Sequence, residues 1–321
     1  MKREVAVIGL GGVGGYFGFK LNEANRQAEY DITFLARGAT YDIVKRQGLT
    51  LLSPEHARSV TQPDRVIQKI AELNHPDLIL ICVKEYDLEN VCQQLLGSVT
   101  ENTILLPLMN GVDIYDRIRG IIQKGVVLPA CVYVASHIKE KGVVEHKGKT
   151  GKIIFGPDHL RKEPPIDWVL ELLQKSGAEV TFMDNPSAEI WTKFIFIAPF
   201  GLVTARYNQS IGQVCQNEVL KSRAASIMEE VKEIASLKQI GLPDNIIERT
   251  FQKAETFPFH TPTSLQLDIH SQKSNNELEL FAGAIVRYGS ELGVPVPQTE
   301  AIYNEIRQLL VNKAADRKVG L

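Results

Sequence analysis

Three stretches of the chain carry side chains whose type and spacing suit chemistry. "EIWTKFIFIAPFG", from Glu189 to Gly201, sets one ammonium, Lys193, among aromatic and aliphatic neighbours. An ammonium is costly to keep charged in apolar surroundings, and a lysine so placed suits proton donation near neutral pH. Lys193 also stands four positions after Glu189, a spacing that equally suits an exposed helical ion pair. "SNNELELFAGAIVRYG" places Glu277 among polar residues just ahead of an apolar helix, where the helix dipole favours a carboxylate. "VAVIGLGGVGGYFG", from Val5 to Gly18, crowds glycines directly behind an apolar run. Glycine in a helix costs roughly 1 kcal/mol against alanine, so the crowding needs a compensating reason. Gly9, Gly11 and Gly14, spaced by Leu10, Gly12 and Val13, fit Gly-x-Gly-x-x-Gly between an expected strand and an expected helix. That pattern gives a tight turn, close approach of backbone to a pyrophosphate, and helix amides facing the anion. The plain alternative is a tight structural turn.

The end of the second strand decides which dinucleotide fits. Folds that prefer NAD place an acidic residue there for the ribose hydroxyls. Here the strand reads "DITFLARG", with its one carboxylate, Asp31, at the opposite end and Arg37 at the tip. A guanidinium suits a 2′-phosphate, which selects NADP; otherwise Arg37 simply ends the strand in solvent. Two further strands end in Lys84 ("LILICVKEYD") and Asn110 ("ILLPLMNG"). Lys84 suits a second charge on the adenosine phosphate, and the Asn110 amide suits the nicotinamide ribose. The bland readings are a solvated lysine and an Asn-Gly turn.

These groups need a scaffold, and the chain is long enough for two domains: 321 residues, 44% hydrophobic. A formal charge of −2 offers no basic excess, so neither nucleic acid nor an anionic membrane is an expected partner. Cys82, Cys92, Cys131 and Cys215 form no Cys-x-x-Cys pair and the histidines no ligand-spaced cluster, so no metal site or disulfide framework is expected. The apolar run behind Lys2 and Arg3 is too short for a signal peptide, and the protein is expected in the cytoplasm. Strand candidates at 5–8, 32–35, 78–83, 104–108 and 126–135 alternate with amphipathic segments, the pattern of an α/β fold with a largely parallel, doubly wound sheet. Residues 142–156 read as a hairpin and 178–184 as a last strand. "DNPSAE", Asp184 to Glu189, breaks the strand and serves as a joint. Beyond it helical periodicity takes over. The expected division is a Rossmann-type NADP-binding domain over 1–185 and an all-α substrate and catalytic domain over 186–321.

Taken together, the glycine motif, Arg37, "CVKEYD" with Lys84, "MNG" with Asn110, "EIWTKF" with Lys193, "TSLQLDI" with Ser264 and Asp268, "NELELFAG" with Glu277 and "ELGVPVP" resemble the ketopantoate reductase (2-dehydropantoate 2-reductase) family. The likeness runs over essentially the whole chain. It implies NADPH-dependent reduction of 2-dehydropantoate to (R)-pantoate in pantothenate synthesis, by a monomer or homodimer. It further implies Lys193 as general acid, Glu277 and Ser264 as substrate-binding residues, Arg37 and Lys84 as the adenosine-phosphate clamp, and Asn110 between cofactor and substrate. The family usually carries asparagines four and eight residues after the lysine; here these are Ile197 and Gly201. Ile197 shares the lysine's helical face and presents a methyl where a hydrogen-bond partner is expected. Asn208 and the Asn275-Asn276 pair are the nearby amides in sequence. A different branched 2-oxo acid on the same frame, or a catalytically silent NADPH-binding sensor, are the alternatives.

Overall fold

The computed structural model describes residues 2–25, 27–55, 57–162, 164–271 and 275–319, with side chains through Lys313. It divides into two compact units, Met1–Pro186 and Ser187–Leu321. In the first, the described residues form thirteen strands in chain order: β1 (Arg3–Ile8), β2 (Tyr30–Leu35), β3 (Leu49–Leu52), β4 (Ser59–Thr61), β5 (Arg65–Ile67), β6 (Leu78–Ile81) and β7 (Ile104–Pro107), followed by β8 (Val126–Val127), β9 (Ala130–Tyr133), β10 (Ser136–Glu140), β11 (Val143–His146), β12 (Lys152–Phe155) and β13 (Glu179–Phe182). Among the described residues a short 3-10 turn (Ile70–Glu72) and five α-helices intervene: α1 (Gly12–Ala24), α2 (Gly38–Gln47), α3 (Glu85–Leu95), α4 (Ile114–Arg119) and α5 (Asp167–Lys175).

The main sheet has the order β5-β2-β1-β6-β7-β8 and every pairing in it is parallel. β1 is central, and Val5, Val7 and Ile8 are fully buried, as both-face burial of a parallel strand demands. From β1 the chain winds outward through β2, then returns to β6 on β1's other side, which opens a crevice at the carboxyl ends of the strands. The structure thus has the expected α/β, doubly wound first unit.

Two smaller sheets correct the sequence reading. The segment 142–156 is not a hairpin. Its first half, β11, pairs antiparallel with β10 and parallel with β3, while its second half, β12, pairs with β9 and β13. The true hairpin turns at Gly142, which takes φ +74°. The strand expected over 126–135 is likewise two strands in different sheets, divided at Pro129, which has no amide hydrogen to donate to a ladder.

The second unit is helical: α6 (Ser187–Tyr207), α7 (Ile211–Gln216), α8 (Glu218–Leu237), α9 (Ile246–Glu255), α10 (Ser264–His270), a turn of π-helix at Glu279–Gly283, α11 (Ala284–Leu292) and α12 (Pro297–Val319). α6 is long and apolar enough to cross a membrane, but it is the core helix of this unit: Trp191, Phe194, Ile195, Phe200 and Leu202 are all buried.

Candidate functional site

In the first unit the carboxyl ends of β1, β2 and β6 meet at one cleft of about 370 Å³. Gly9, Leu10 and Gly11 form its floor with Leu35, Ala36 and Arg37 on one side and Cys82, Val83 and Lys84 on the other. Gly11, Arg37 and Lys84 are also the N-cap residues of α1, α2 and α3. Three helix N-termini therefore open onto one space. None of these caps has a side-chain acceptor for the first-turn amides, and the aligned peptide dipoles favour an anion there.

The glycines differ in what fixes them. Gly9 takes φ +93°, and a Cβ on it would lie 2.8 Å from the Cys82 carbonyl oxygen. A Cβ on Gly14 would lie 1.9 Å from the Gly9 oxygen, so the two halves of the turn close only without side chains. Gly11 is under no such pressure: its φ of −76° suits any residue, and a Cβ there would meet nothing within 4 Å. Protein packing does not explain this glycine, and it faces the cleft.

Charge at the cleft comes from Arg37, Lys84, Lys141 and Asp87, with Arg37 Nη1 3.7 Å from Asp87 Oδ1. Asp31, the one carboxylate of β2, sits at the far end of its strand, 3.7 Å from Lys2 Nζ. Burial pushes the Cys82 thiol up, so it lines the cleft as a neutral group. Of the expected cofactor residues, Gly9, Leu10, Gly11, Arg37 and Lys84 form the wall. Gly12, Val13 and Gly14 lie behind it in the first turn of α1, and Asn110 follows β7, outside the lining, on the same edge of the sheet. Thr40, Asp87, Ile138 and Lys141 complete the wall and were missed in the sequence reading. The last two come from the β10–β11 hairpin, whose pairing with β3 joins segments some ninety residues apart.

In the second unit Lys193 is half-buried on α6, Ser264 is exposed at the first residue of α10, and Glu277 is buried, 4% exposed, two residues before the π-helical turn. The elements carrying them pack together. The Thr204 hydroxyl on α6 lies 2.6 Å from that of Thr263, the N-cap of α10, and the Phe194 and Phe281 ring centroids are 6.3 Å apart. Gly201 is in the same seam, its Cβ position 3.7 Å from Leu265 and 3.9 Å from Phe281. Both are ordinary van der Waals distances, so a Cβ at 201 is accommodated without strain. Asn208, at φ +52°, accepts a 3.1 Å hydrogen bond from the Gln266 amide, and Asn276 accepts one from the Leu278 amide. A depression of about 390 Å³ on α6 lies between Glu189, Thr192 and Phe196 and the Arg249 and Lys253 side of α9; Lys193, Ser264 and Glu277 are not in its wall.

Comparison with known proteins covers both units. The model of the family "Ketopantoate reductase PanE/ApbA" matches residues 5–159, and that of "Ketopantoate reductase PanE/ApbA C terminal" matches residues 185–310. An uncharacterized oxidoreductase of Bacillus subtilis is 24% identical over 309 residues, which span 96% of this chain and 99% of that protein. The crystal structure of a PanE/ApbA family ketopantoate reductase from Ralstonia eutropha, 25% identical, superposes with a TM-score of 0.86 over 97% of this chain and 99% of its own. D-mandelate dehydrogenase in a ternary structure with NADH and anilino(oxo)acetate, 18% identical, shares the fold at a TM-score of 0.84 over 96% and 99% of the two chains.

Proposed function

Because the chain belongs to the ketopantoate reductase family, whose members are oxidoreductases acting on a CH–OH group, we propose that it reduces 2-dehydropantoate to (R)-pantoate with NADPH, a step of pantothenate synthesis. The observation that carries this reading is the cleft of the first unit, where three helix N-termini, Arg37 and Lys84 surround a glycine that packing leaves unexplained. A pyrophosphate fits against Gly11, which has room for it because no side chain is there. A 2′-phosphate fits Arg37 and Lys84, and the end of β2 offers no carboxylate to hold ribose hydroxyls in its place. Four free cysteines, three of them buried, suit a reducing compartment, and we place the enzyme in the cytoplasm.

When bound, a reduced nicotinamide would supply the hydride that the ketone carbon accepts. The remaining work falls to side chains. As that carbon accepts the hydride electron pair, the carbonyl π bond opens onto oxygen, and Lys193 donates its ammonium proton to the resulting alkoxide. Glu277, held buried, orients the substrate by accepting a hydrogen bond from its hydroxyl. The Ser264 hydroxyl donates to the substrate carboxylate, and the Asn110 amide binds the nicotinamide ribose and the substrate oxygen.

A second reading keeps the frame and changes the substrate. Ile197 and Gly201 stand where the family usually has asparagines, Gly201 brings no side chain to its place beside Leu265 and Phe281, and Asn208 already holds Gln266. These features favour a more apolar branched 2-oxo acid. Initial rates of NADPH oxidation with ketopantoate and a panel of branched 2-oxo acids decide between the two. A specificity constant highest for ketopantoate supports the first reading, and one highest for another acid supports the second. Absence of turnover with every acid, beside tight NADPH binding, would overturn both and leave a silent nucleotide sensor.

A further inference from the structure

The cleft at the glycine turn is closed on one side by residues from none of its three strands: Ile138 on β10, and Lys141 in the turn after it. That turn is firmly held. A Cβ on Gly142 would come within 2.6 Å of Ile43 Cγ2 on α2, so the turn lies flat on that helix. The Gly142 carbonyl accepts a 2.9 Å hydrogen bond from the Thr50 amide, and β11 continues beside β3 from the Val143–Thr50 pair onward. The start of β10 is pressed on the glycine turn itself, since a Cβ on Gly12 would meet the Ser136 oxygen at 2.4 Å.

Within the hairpin the basic side chains are sorted. His137, Lys139 and Lys147 converge on the Glu145 carboxylate at 3.3, 3.0 and 2.9 Å. The β10–β11 register shifts between Ile138 and Glu140, and such a bulge re-aims the side chains around it. Lys141, past the bulge, lines the cleft.

The charge at the cleft shows what Lys141 adds. Arg37 and Lys84 set against Asp87 leave one net positive charge, whereas a phosphate monoester carries about −1.5 to −2 at pH 7. With Lys141 the cleft carries two, which matches. Ile138, 47% exposed, offers an apolar surface beside these charges, suited to one face of a purine.

We infer that Lys141 is a nucleotide-selecting residue whose ammonium pairs with the 2′-phosphate of NADPH, and that the β10–β11 hairpin, with Ile138 against the adenine, forms the outer wall of the adenosine-phosphate subsite. The inference rests on the NADPH reading above, and the test separates the two.

Dissociation constants for NADPH and NADH are measured by fluorescence titration at low and high salt, on the full chain and on Lys141→Ala, Lys141→Arg and Arg37→Ala. Losing one charge contact to a phosphate weakens NADPH about tenfold in Lys141→Ala, by the affinity equivalent of one charge-assisted bond, and leaves NADH within about twofold. Lys141→Arg keeps most of the NADPH affinity, and high salt narrows the gap between the parent and Lys141→Ala. A parent that prefers NADPH and loses that preference in Arg37→Ala but not in Lys141→Ala overturns the inference alone. Equal weakening of both nucleotides by Lys141→Ala also overturns it. A parent that binds NADH as tightly as NADPH overturns the NADPH reading, and the inference falls with it.

Discussion

Replacing Gly11 by alanine separates a glycine kept for a ligand from one kept for the fold. Gly11 sits at φ −76° and ψ −162°, extended backbone open to alanine, and the added Cβ meets nothing within 4 Å. Two small effects oppose each other in the ligand-free protein. Alanine restricts the unfolded chain, worth about 0.4–1 kcal/mol in favour of folding, while it is a poorer N-cap than glycine by a similar amount. The net change should stay within about 1 kcal/mol, a Tm shift of no more than about 4 °C for a unit of this size. Gly14→Ala is the contrasting change. Its Cβ would lie 1.9 Å from the Gly9 oxygen and 2.7 Å from Cys82 Cβ, so the turn must move, at about 1–3 kcal/mol or more. For the nucleotide the order reverses in kind. A methyl on Gly11 occupies the space assigned to the pyrophosphate, and NADPH affinity should fall at least tenfold, roughly 1.4 kcal/mol, in a protein that melts normally. Thermal melts without nucleotide and NADPH titrations on both variants are the assay. The reasoning fails if Gly11→Ala melts as early as Gly14→Ala, or if it binds NADPH as the parent does.

Three other outcomes are expected. Lys193→Ala should lower turnover by about 10²–10⁴-fold while the NADPH dissociation constant, measured separately, barely changes; a loss under about fivefold would remove the lysine from proton transfer. Asp158→Ala should cost the first unit about 3–5 kcal/mol in urea unfolding, because the buried Arg119 guanidinium, the Val127 amide and the Tyr115 hydroxyl all bond that carboxylate, and an alanine strands the charge; a cost below about 1 kcal/mol would contradict this. The Glu145 carboxyl, held down to about 2 by hydrogen bonds from Lys147 and Lys139, should titrate near that value by NMR. Its folded-state affinity for protons is lowered, so the interaction favours the folded state above the ordinary carboxylate range and is lost as pH falls toward 2. A midpoint at the ordinary carboxylate value would break the hairpin charge assignment.

Local spacing controls the features that were legible in the sequence. The turn at Gly9, Gly11 and Gly14 depends on a few consecutive residues between a buried strand and a helix, and it lies where the spacing places it. The strand tips Arg37 and Lys84 came from the ends of apolar runs, and the change to helices after the Asp184–Glu189 joint came from periodicity. Pairing over long distances was not legible. β4 and β5 are three residues each, too short for an alternating pattern, and β11 reads as the partner of β12, its neighbour in the chain, until β3, far earlier, claims its other edge. That one misreading of 142–156 hid the placement of Ile138 and Lys141. Asn110 shows the opposite limit: its strand was correctly located, yet the cleft wall stops short of it.

The most direct test of the central claim tracks the hydride itself. The enzyme is given ketopantoate, or the best acid of the panel, with NADPH carrying deuterium at both C4 positions of the nicotinamide, and the product is weighed by mass spectrometry. The account predicts a 2-hydroxy acid with one deuterium on C2, formed as the reduced nicotinamide is consumed. Product without that deuterium, or no consumption of NADPH with any 2-oxo acid, would contradict it.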